Sequence, residues 1–355
     1  EKLVGFGIKP MGSDNLQRAG EYLYQVMAEI CDQVEIHQYQ VPCWEVKGWR
    51  LEDQNGKEIK SYLFLESGSS EKFEGYVEFA GYHRVWDMYV WRRYKIVDAE
   101  GRICAYITVR ENEGAIPQML FAKSDLPHFM VGSKEEAILK GAEKSRALLR
   151  GFAETKINKS GYCRNLSGEI GEGREKVILC AHYDTVYSTV GAYDNAAGTA
   201  VVLETARQLT QYGLNKKIEI LLTDGEEFNL KGARFRAAEE RGDISFVLNI
   251  AGVGREDILE VWCGPETFER KVRAVLDKSK EKFIPRYICP PPPGSDHAPF
   301  YEKGIPVCML TFNDQGILHT PEDIIEKSKL RNMEKMVRLN LELLERIGVI
   351  QRDTN

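Results

Sequence analysis

The hydrophobic positions of the chain follow different rhythms in three consecutive stretches. Residues 14–32 repeat apolar side chains every three or four positions, which predicts an amphipathic helix. Between residues 41 and 157, short segments alternate apolar and polar positions and are separated by turn-forming residues, a pattern typical of a β-rich unit. After Asn165, compact apolar runs alternate with helical patterns, which indicates a largely parallel sheet with helices on both faces.

We therefore predict an α/β fold that combines a mixed, mostly parallel sheet with a β-rich insert. A length of 355 residues is long for one core and agrees with two domains. Residues 1–40 and 158–355 are expected to form the sheet domain, and residues 41–157 the insert. The apolar runs expected to be its strands are 177–181, 218–223, 246–250, 259–263 and 306–311, and residues 324–347 are expected to form the last helix.

Charge and cysteine content narrow the range of partners and compartments. A net charge of −6 and a pI of about 5.7 argue against nucleic acid and against an anionic membrane surface as partners. The chain contains no apolar run close to the roughly 18 residues that would suggest a membrane span. Its eight cysteines include no CxxC motif, which favours a reducing, cytoplasmic location and leaves secretion as an alternative.

Charged motifs follow directly after several of the predicted strands. His182 and Asp184 come after the first strand, Glu226 and Glu227 after the second, and His319 after the last. Because the carboxyl ends of the strands in an open α/β sheet form one crevice, we expect these side chains to converge. Histidine nitrogens and carboxylate oxygens are ligands that zinc prefers, and a catalytic zinc site keeps one position for water.

The order of the motifs resembles that of the co-catalytic zinc aminopeptidases, a family that includes bacterial leucyl aminopeptidases, glutaminyl cyclases and glutamate carboxypeptidase. The resemblance covers about residues 158–355 and the N-terminal helix. Residues 41–157 resemble the protease-associated domain that some members carry as an insert. The motifs are His-x-Asp from His182, Asp-Asn-x-x-Gly from Asp194, Glu-Glu from Glu226, Ser-Asp-His from Ser295 and His-Thr-x-x-Asp from His319.

The resemblance implies a role for each of these residues. His182 would bind a first zinc, Asp194 would bridge two zincs, and Glu227 with His319 would complete the second site. Asp184 would orient His182, an arrangement common at zinc sites. The remaining residues it implies are Glu226 as the general base, and Ser295, Asp296 and His297 in supporting or substrate-facing positions.

The chain departs from the family pattern at Ala251, where other members carry a metal-binding aspartate. The first zinc would then keep only His182 and the shared Asp194, whereas Asp194, Glu227 and His319 remain a complete set for one catalytic zinc. We therefore expect one tightly bound zinc and a second site that is weak or empty. Asn249 is the neighbour on the same strand face, but it lies about 7 Å along the strand.

These residues predict a metal-dependent aminopeptidase that acts on peptides, with Glu226 as the base. The sequence contains no Gly-x-Ser-x-Gly motif, which argues against a serine hydrolase. Two alternatives stay open. One is a single-zinc acyl transfer like that of glutaminyl cyclases, and the other is a catalytically impaired relative with a binding role. The preferred N-terminal residue and the oligomeric state are not predicted.

Overall fold

The computed structural model describes residues 1–85, 89–111, 113–117, 125–239, 243–255, 258–312, 314 and 316–351. The chain divides into two compact units. We call Glu1–Val41 together with Tyr162–Asn355 the sheet unit, and Pro42–Gly161 the insert unit.

The described residues form helices and strands throughout both units. The helices are α1 (Asp14–Ala28), α2 (Glu136–Ser145), α3 (Ala197–Leu209), α4 (Lys231–Ala238), α5 (Glu266–Leu276), α6 (His297–Glu302) and α7 (Leu330–Arg346). The strands are β1 (Gln33–Gln40), β2 (Cys43–Glu52), β3 (Ser61–Leu63), β4 (Ser70–Val85), β5 (Tyr89–Val97), β6 (Ile103–Arg110), β7 (His128–Gly132), β8 (Leu148–Asn158), β9 (Tyr162–Ile170), β10 (Glu175–His182), β11 (Gly213–Leu214), β12 (Lys217–Thr223), β13 (Asp243–Ile250), β14 (Ile258–Gly264), β15 (Ile284–Ile288), β16 (Val307–Thr311) and β17 (Ile350–Gln351).

The described residues of the sheet unit build an eight-stranded sheet in the order β1-β9-β12-β10-β13-β16-β14-β15. Its centre, β12, β10, β13 and β16, is parallel. The pairs β1–β9, β9–β12 and β14–β16 are antiparallel. The expected mixed, mostly parallel α/β fold is therefore confirmed. The register sets His182 opposite Thr223 and Cys180 opposite Asn249, so the carboxyl ends of the central strands are level.

Strand β10 shows why the central strands are almost continuously apolar. Val177, Leu179 and Ala181 pack into a large core that also contains buried residues of α1, α3, α5 and α7. Ile178 and Cys180 point to the opposite face, where they pack with residues of α4 and α6. Successive side chains of a strand point to opposite faces, so a strand covered on both sides is apolar at both.

Several predicted boundaries differ from the observed ones, and three strands of the sheet, β1, β9 and β15, were not predicted. Helix α1 ends at Ala28 rather than at residue 32, and α7 begins at Leu330 rather than at 324. Ser13 caps α1, because its Oγ accepts a hydrogen bond from Leu16 N at 3.2 Å. Strands β1 and β9 carry many polar residues, which hides them from a search for apolar runs.

The insert unit has a sheet of its own. The described residues order its strands β2-β8-β4-β5-β6-β7-β3, mostly antiparallel. Phe64, Trp91 and Met130 are buried together in this unit. Its resemblance to a protease-associated domain stays a prediction. In the part of the chain that is described, no helix is both long and apolar enough to span a membrane.

Candidate metal centre

The carboxyl ends of the central strands carry a group of buried acids and histidines. His182 is the last residue of β10, and Glu226 and Glu227 lie in the loop that follows β12. His319 lies beyond β16, and Asp194 lies in the turn before α3. All of these side chains are buried, as is Asp184. The predicted convergence of residues from distant parts of the sequence is what the structure shows.

Asp194 lies between the two histidines and faces each with a different oxygen. Its Oδ1 is 3.1 Å from His182 Nε2, and its Oδ2 is 3.2 Å from His319 Nε2. His319 Nε2 is also 3.1 Å from Glu227 Oε2. Ligand atoms bound to one tetrahedral zinc at about 2.0–2.1 Å lie about 3.3 Å apart. The spacing of Asp194, His319 and Glu227 therefore fits one metal ion.

Two groups of residues, among those described, have the proximity needed to hold a metal ion. One is Asp194, Glu227 and His319, and the other is His182, Glu226 and Glu227. In each group the possible ligand atoms lie within 4.8 Å of one another. Glu227 Oε1 is buried and accepts no hydrogen bond from any described residue. A buried carboxylate oxygen without a donor is costly, and a metal ion would satisfy it.

Asp184 holds the two adjacent glutamates in place. Its Oδ1 accepts a hydrogen bond from Glu226 N at 3.2 Å, and its Oδ2 accepts one from Glu227 N at 3.1 Å. The same Oδ1 lies 3.4 Å from His182 Nδ1. One buried carboxylate thus contacts both the loop after β12 and the ring of His182. This arrangement agrees with the orienting role that the family resemblance implies.

Asp323 holds the main chain at Asp194, as Asp184 holds it at the two glutamates. This role was not predicted from the sequence. Asp323 Oδ1 accepts a hydrogen bond from Tyr193 N at 2.6 Å, and its Oδ2 accepts one from Asp194 N at 3.0 Å. Burial raises the pKa of Asp323 to about 6. The only sequence signal was its place in the motif His319-Thr-Pro-Glu-Asp323, four residues after the histidine.

The opposite side of the centre contains Ala251, which is buried and offers no ligand atom. Asn249, two residues earlier, is a neutral amide whose Nδ2 donates to Ser295 Oγ at 2.9 Å, while its buried Oδ1 accepts no hydrogen bond from the described residues. Ser295 therefore contacts the end of β13 rather than the acidic group.

Asp296 and His297 differ in how they face the site. Asp296 is buried, and its Oδ2 accepts a hydrogen bond from Thr223, whereas its Oδ1 accepts none from the described residues. Burial raises the pKa of Asp296 to about 7. His297 Nε2 bonds to the carbonyl of Pro292 at 2.8 Å, and burial lowers its pKa to about 4. His297 thus contacts the proline run through Nε2, while its buried Nδ1 has no hydrogen-bond partner among the described residues.

Several carboxylates are crowded together in this buried group, and this crowding shifts the pKa values of its members. Burial, together with neighbouring carboxylates, raises the pKa of Glu226 well above its usual value and that of Glu227 to about 7. Burial alone would lower the pKa values of His182 and His319, but the surrounding carboxylates raise both well above their usual range.

A family comparison matches the part of the chain that carries the candidate metal centre. Residues 165–344, half of its length, match the model of peptidase family M28, and the chain is a member of that family. The family membership expected from the order of the motifs is confirmed.

Curated relatives agree over the same region. The aminopeptidase YwaD of Bacillus subtilis (strain 168) is 31% identical over 166 residues, which are 42% of this chain and 36% of that protein. The leupeptin-inactivating enzyme 1 of Streptomyces exfoliatus is 30% identical over 167 residues, or 43% and 36% of the two chains. The matched part thus spans about a third of these relatives.

Solved structures share the whole fold. The aminopeptidase from Aneurinibacillus sp. strain AM-1 superposes with a TM-score of 0.74 at 15% identity, covering 99% of this chain and 93% of that one. BSAP, a zinc aminopeptidase from Bacillus subtilis, gives 0.74 at 18% identity, with 100% and 94% covered. At these low sequence identities, the likeness shows the fold of both units and no more.

Proposed function

We propose that the chain is a metal-dependent aminopeptidase that hydrolyses the first peptide bond of its substrate. The observation that carries this proposal is the buried group of Asp194, Glu227 and His319 with Glu226 beside it. The names of the relatives YwaD and BSAP, an aminopeptidase and a zinc aminopeptidase, support the same reaction and the same metal.

Asp194, Glu227 and His319 would hold one zinc ion. When bound, zinc supplies a Lewis acid and a water molecule whose pKa is lowered toward about 7. Asp184 would keep His182 and the two glutamates oriented through its contacts with Glu226 N and Glu227 N.

Glu226 would act as the general base. Its carboxylate would take a proton from the attacking water and return it to the nitrogen of the leaving amine, so that the proton balance closes. The hydrogen bond from its main-chain nitrogen to Asp184 Oδ1 fixes the direction in which it leaves the loop. Its burial suits a base, since a raised pKa makes a carboxylate a better proton acceptor.

The side of the centre near His182 would bind a second metal weakly or leave it out. With Ala251 in place of a carboxylate, the described residues that could close this side around His182 are Glu226, Glu227 and Asp194, whose Oδ1 lies 3.1 Å from His182 Nε2. A metal held there would occupy the carboxylate of the base. One tightly bound zinc is therefore the arrangement that leaves Glu226 available for proton transfer.

The proposal also includes a cytoplasmic site of action. All eight cysteines lie in the described part of the chain as free thiols, five of them buried. Free thiols are usual in a reducing compartment.

The test uses purified full-length protein with one equivalent of zinc and a panel of aminoacyl-4-nitroanilides and short peptides. Release of the N-terminal residue is measured for wild type, for Glu226→Gln and for Glu204→Gln. Glu204 is an exposed glutamate of α3, so its variant is a matched control that should keep full activity. Peptides with an acetylated N-terminus should resist cleavage.

Two other outcomes would replace this proposal. Formation of pyroglutamate from peptides that begin with glutamine, without release of free amino acids, would identify a glutaminyl-cyclase-like acyl transferase. Zinc binding without either product would identify a catalytically impaired relative. Equal turnover by wild type and Glu226→Gln would overturn the role of the base.

A further inference from the structure

Lys9 is a lysine buried in the sheet unit before α1, with only 1% of its surface exposed. Its Nζ donates hydrogen bonds to the carbonyls of Gly7 at 3.0 Å and Val190 at 2.8 Å. Lysine is rarely buried unless it is paired. Burial lowers the pKa of Lys9 to about 8, while Asp184 and Asp323 raise it. The ammonium group thus interacts electrostatically with the two carboxylates that accept hydrogen bonds from the main chain of Asp194 and of the two glutamates.

The main chain of Lys9 is fixed to the same part of the molecule. Lys9 N donates to Thr185 Oγ1 at 2.8 Å, and Thr185 N donates to Lys9 O at 3.0 Å. Together with the bond from Nζ to Val190, these contacts attach residue 9 to both ends of residues 185–190. We call residues 185–190 the spacer segment. Its partner comes from a part of the sequence 176 residues away.

The spacer segment determines how far apart two proposed ligands lie. It connects Asp184, two residues after His182, to Gly191 and the turn that carries Asp194. Gly191 has a positive φ of 64°, which suits glycine at the point where the chain turns into the metal site. Asp323 holds the far end of this path through Asp194 N, at 3.0 Å. Lys9 holds the same path at Thr185 and at Val190.

We propose that Lys9 is a positioning residue of the metal centre, whose ammonium group fixes Val190 and thereby the separation of His182 and Asp194. The inference rests on the proposed function, because it presumes that Asp194 binds zinc. It assigns to the N-terminal segment a part in building a site whose ligands all come from residues 182–319.

The direction of the change in zinc affinity separates positioning from simple charge. If Lys9 acted only as a nearby positive charge, it would repel a zinc ion, and its removal would tighten zinc binding. If Lys9 positions the spacer segment, its removal lets Asp194 move and weakens zinc binding. Loss of a group that orients a metal ligand typically lowers affinity by about 10- to 100-fold.

The experiment compares Lys9→Met, Lys9→Arg and Lys176→Met in the full-length protein. Lys176 is a matched control, because it is also largely buried and lies 2.7 Å from Glu219 Oε2. It precedes His182 by six residues on β10, or about 20 Å along the strand. Zinc affinity is measured by competition with a chromophoric chelator, folding by urea denaturation, and ligand geometry by the absorption spectrum of the cobalt-substituted protein.

We expect Lys9→Met to weaken zinc binding by about tenfold or more and to change the cobalt spectrum at saturation. Lys9→Arg, which keeps the charge and can donate to Val190, should restore most of the affinity. Lys176→Met should lower stability but leave zinc affinity and the cobalt spectrum unchanged. If Lys9→Met does not fold, Lys9→Gln removes the charge, and its shorter side chain places the amide nitrogen short of Val190 O, so it predicts the same direction.

Two results would overturn the inference, and they differ from each other. Wild type that binds zinc, with the uncharged Lys9 variants equal to it or tighter, would reject the positioning role and leave the metal centre intact. Wild type that binds no zinc would reject the proposed metal centre and this inference with it.

Discussion

Restoring a carboxylate at position 251 should create a second tight zinc site. Strand β13 pairs with β10 so that Asn249 lies opposite Cys180. Two residues further on, Ala251 and His182 therefore come level on the same face, on strands about 4.8 Å apart. Ala251 is buried, with 4% of its surface exposed. In Ala251→Asp, the new carboxylate would lie beside the imidazole of His182.

The size of the effect follows from two opposing contributions. A carboxylate about 4 Å from a doubly charged ion gains about 8 kcal/mol at an effective dielectric constant of about 20. Burying the carboxylate among Asp194, Glu226 and Glu227 costs several kcal/mol. A net gain of about 3 kcal/mol would tighten the second zinc by about 100-fold. Without zinc only the cost remains, so the variant should be less stable than wild type.

The assay combines metal analysis with thermal unfolding at a series of free zinc concentrations. Wild type should retain one zinc per chain after dialysis and Ala251→Asp close to two. The variant should unfold at a lower temperature than wild type without zinc and should gain more stability from added zinc, because the ion binds only the folded state. Ala251→Asn adds the same volume without the charge and is the matched control.

Two results would refute this reasoning. One is wild type that holds two zincs tightly, which would mean that position 251 needs no ligand. The other is an Ala251→Asp variant with the zinc stoichiometry and zinc response of Ala251→Asn. That result would mean that the new carboxylate does not lie beside the imidazole of His182.

Further predictions concern the base, the turn at Asp194 and the sheet. Glu226→Gln should lower kcat by about 10²–10⁴-fold while zinc analysis still gives one ion per chain, and unchanged turnover would contradict its role. Asp323→Ala should lower zinc affinity by about 10- to 100-fold in a chelator competition, because Asp194 N loses its acceptor; equal affinity would contradict this. Glu219→Gln should lower the free energy of unfolding by about 3–5 kcal/mol in urea, because Arg236 stays buried without its bidentate partner, and zinc affinity should not change.

His182, Glu226 and Glu227 could be found from the sequence because each lies at or shortly after the end of a recognisable strand, whereas Asp194 was assigned from the order of the family's motifs. The apolar run before His182 and the run before Glu226 are buried on both faces, so their ends are visible as abrupt changes to polar residues. Parallel pairing then brings those ends to one edge. No knowledge of side-chain packing is needed for that step, which is why the fold class and the convergence of these residues could both be predicted.

Strand β9 illustrates what the pattern of apolar residues does not reveal. Asn165 and Ser167 are buried in it, with Asn165 Nδ2 bonded to Gly232 O at 2.9 Å and Ser167 Oγ to Glu219 at 3.1 Å. Polar residues in a buried strand are tolerated when each finds a partner. Those partners come from other elements, so nothing local in the sequence marks them.

Asp323 and Lys9 could not be assigned for a related reason. Both act on main-chain atoms of the segment between His182 and Asp194, and main-chain groups are the same in every sequence. Their roles exist only once that segment has its conformation. The orientation of the Asn249 side chain could not be predicted either, because its bond to Ser295 depends on how α6 packs on the sheet.

The arrangement of acids agrees with the proposed catalytic site, which lacks a ligand at position 251. Asp194 is held by Asp323 and Glu227 by Asp184, through main-chain bonds that do not involve β13. Loss of a carboxylate from β13 therefore removes a ligand from the side of His182 without disturbing the groups that orient the other side. It also lowers the number of like charges in a buried site, which reduces the cost of keeping Glu226 and Glu227 ionised. Both effects favour the proposed single-zinc peptidase.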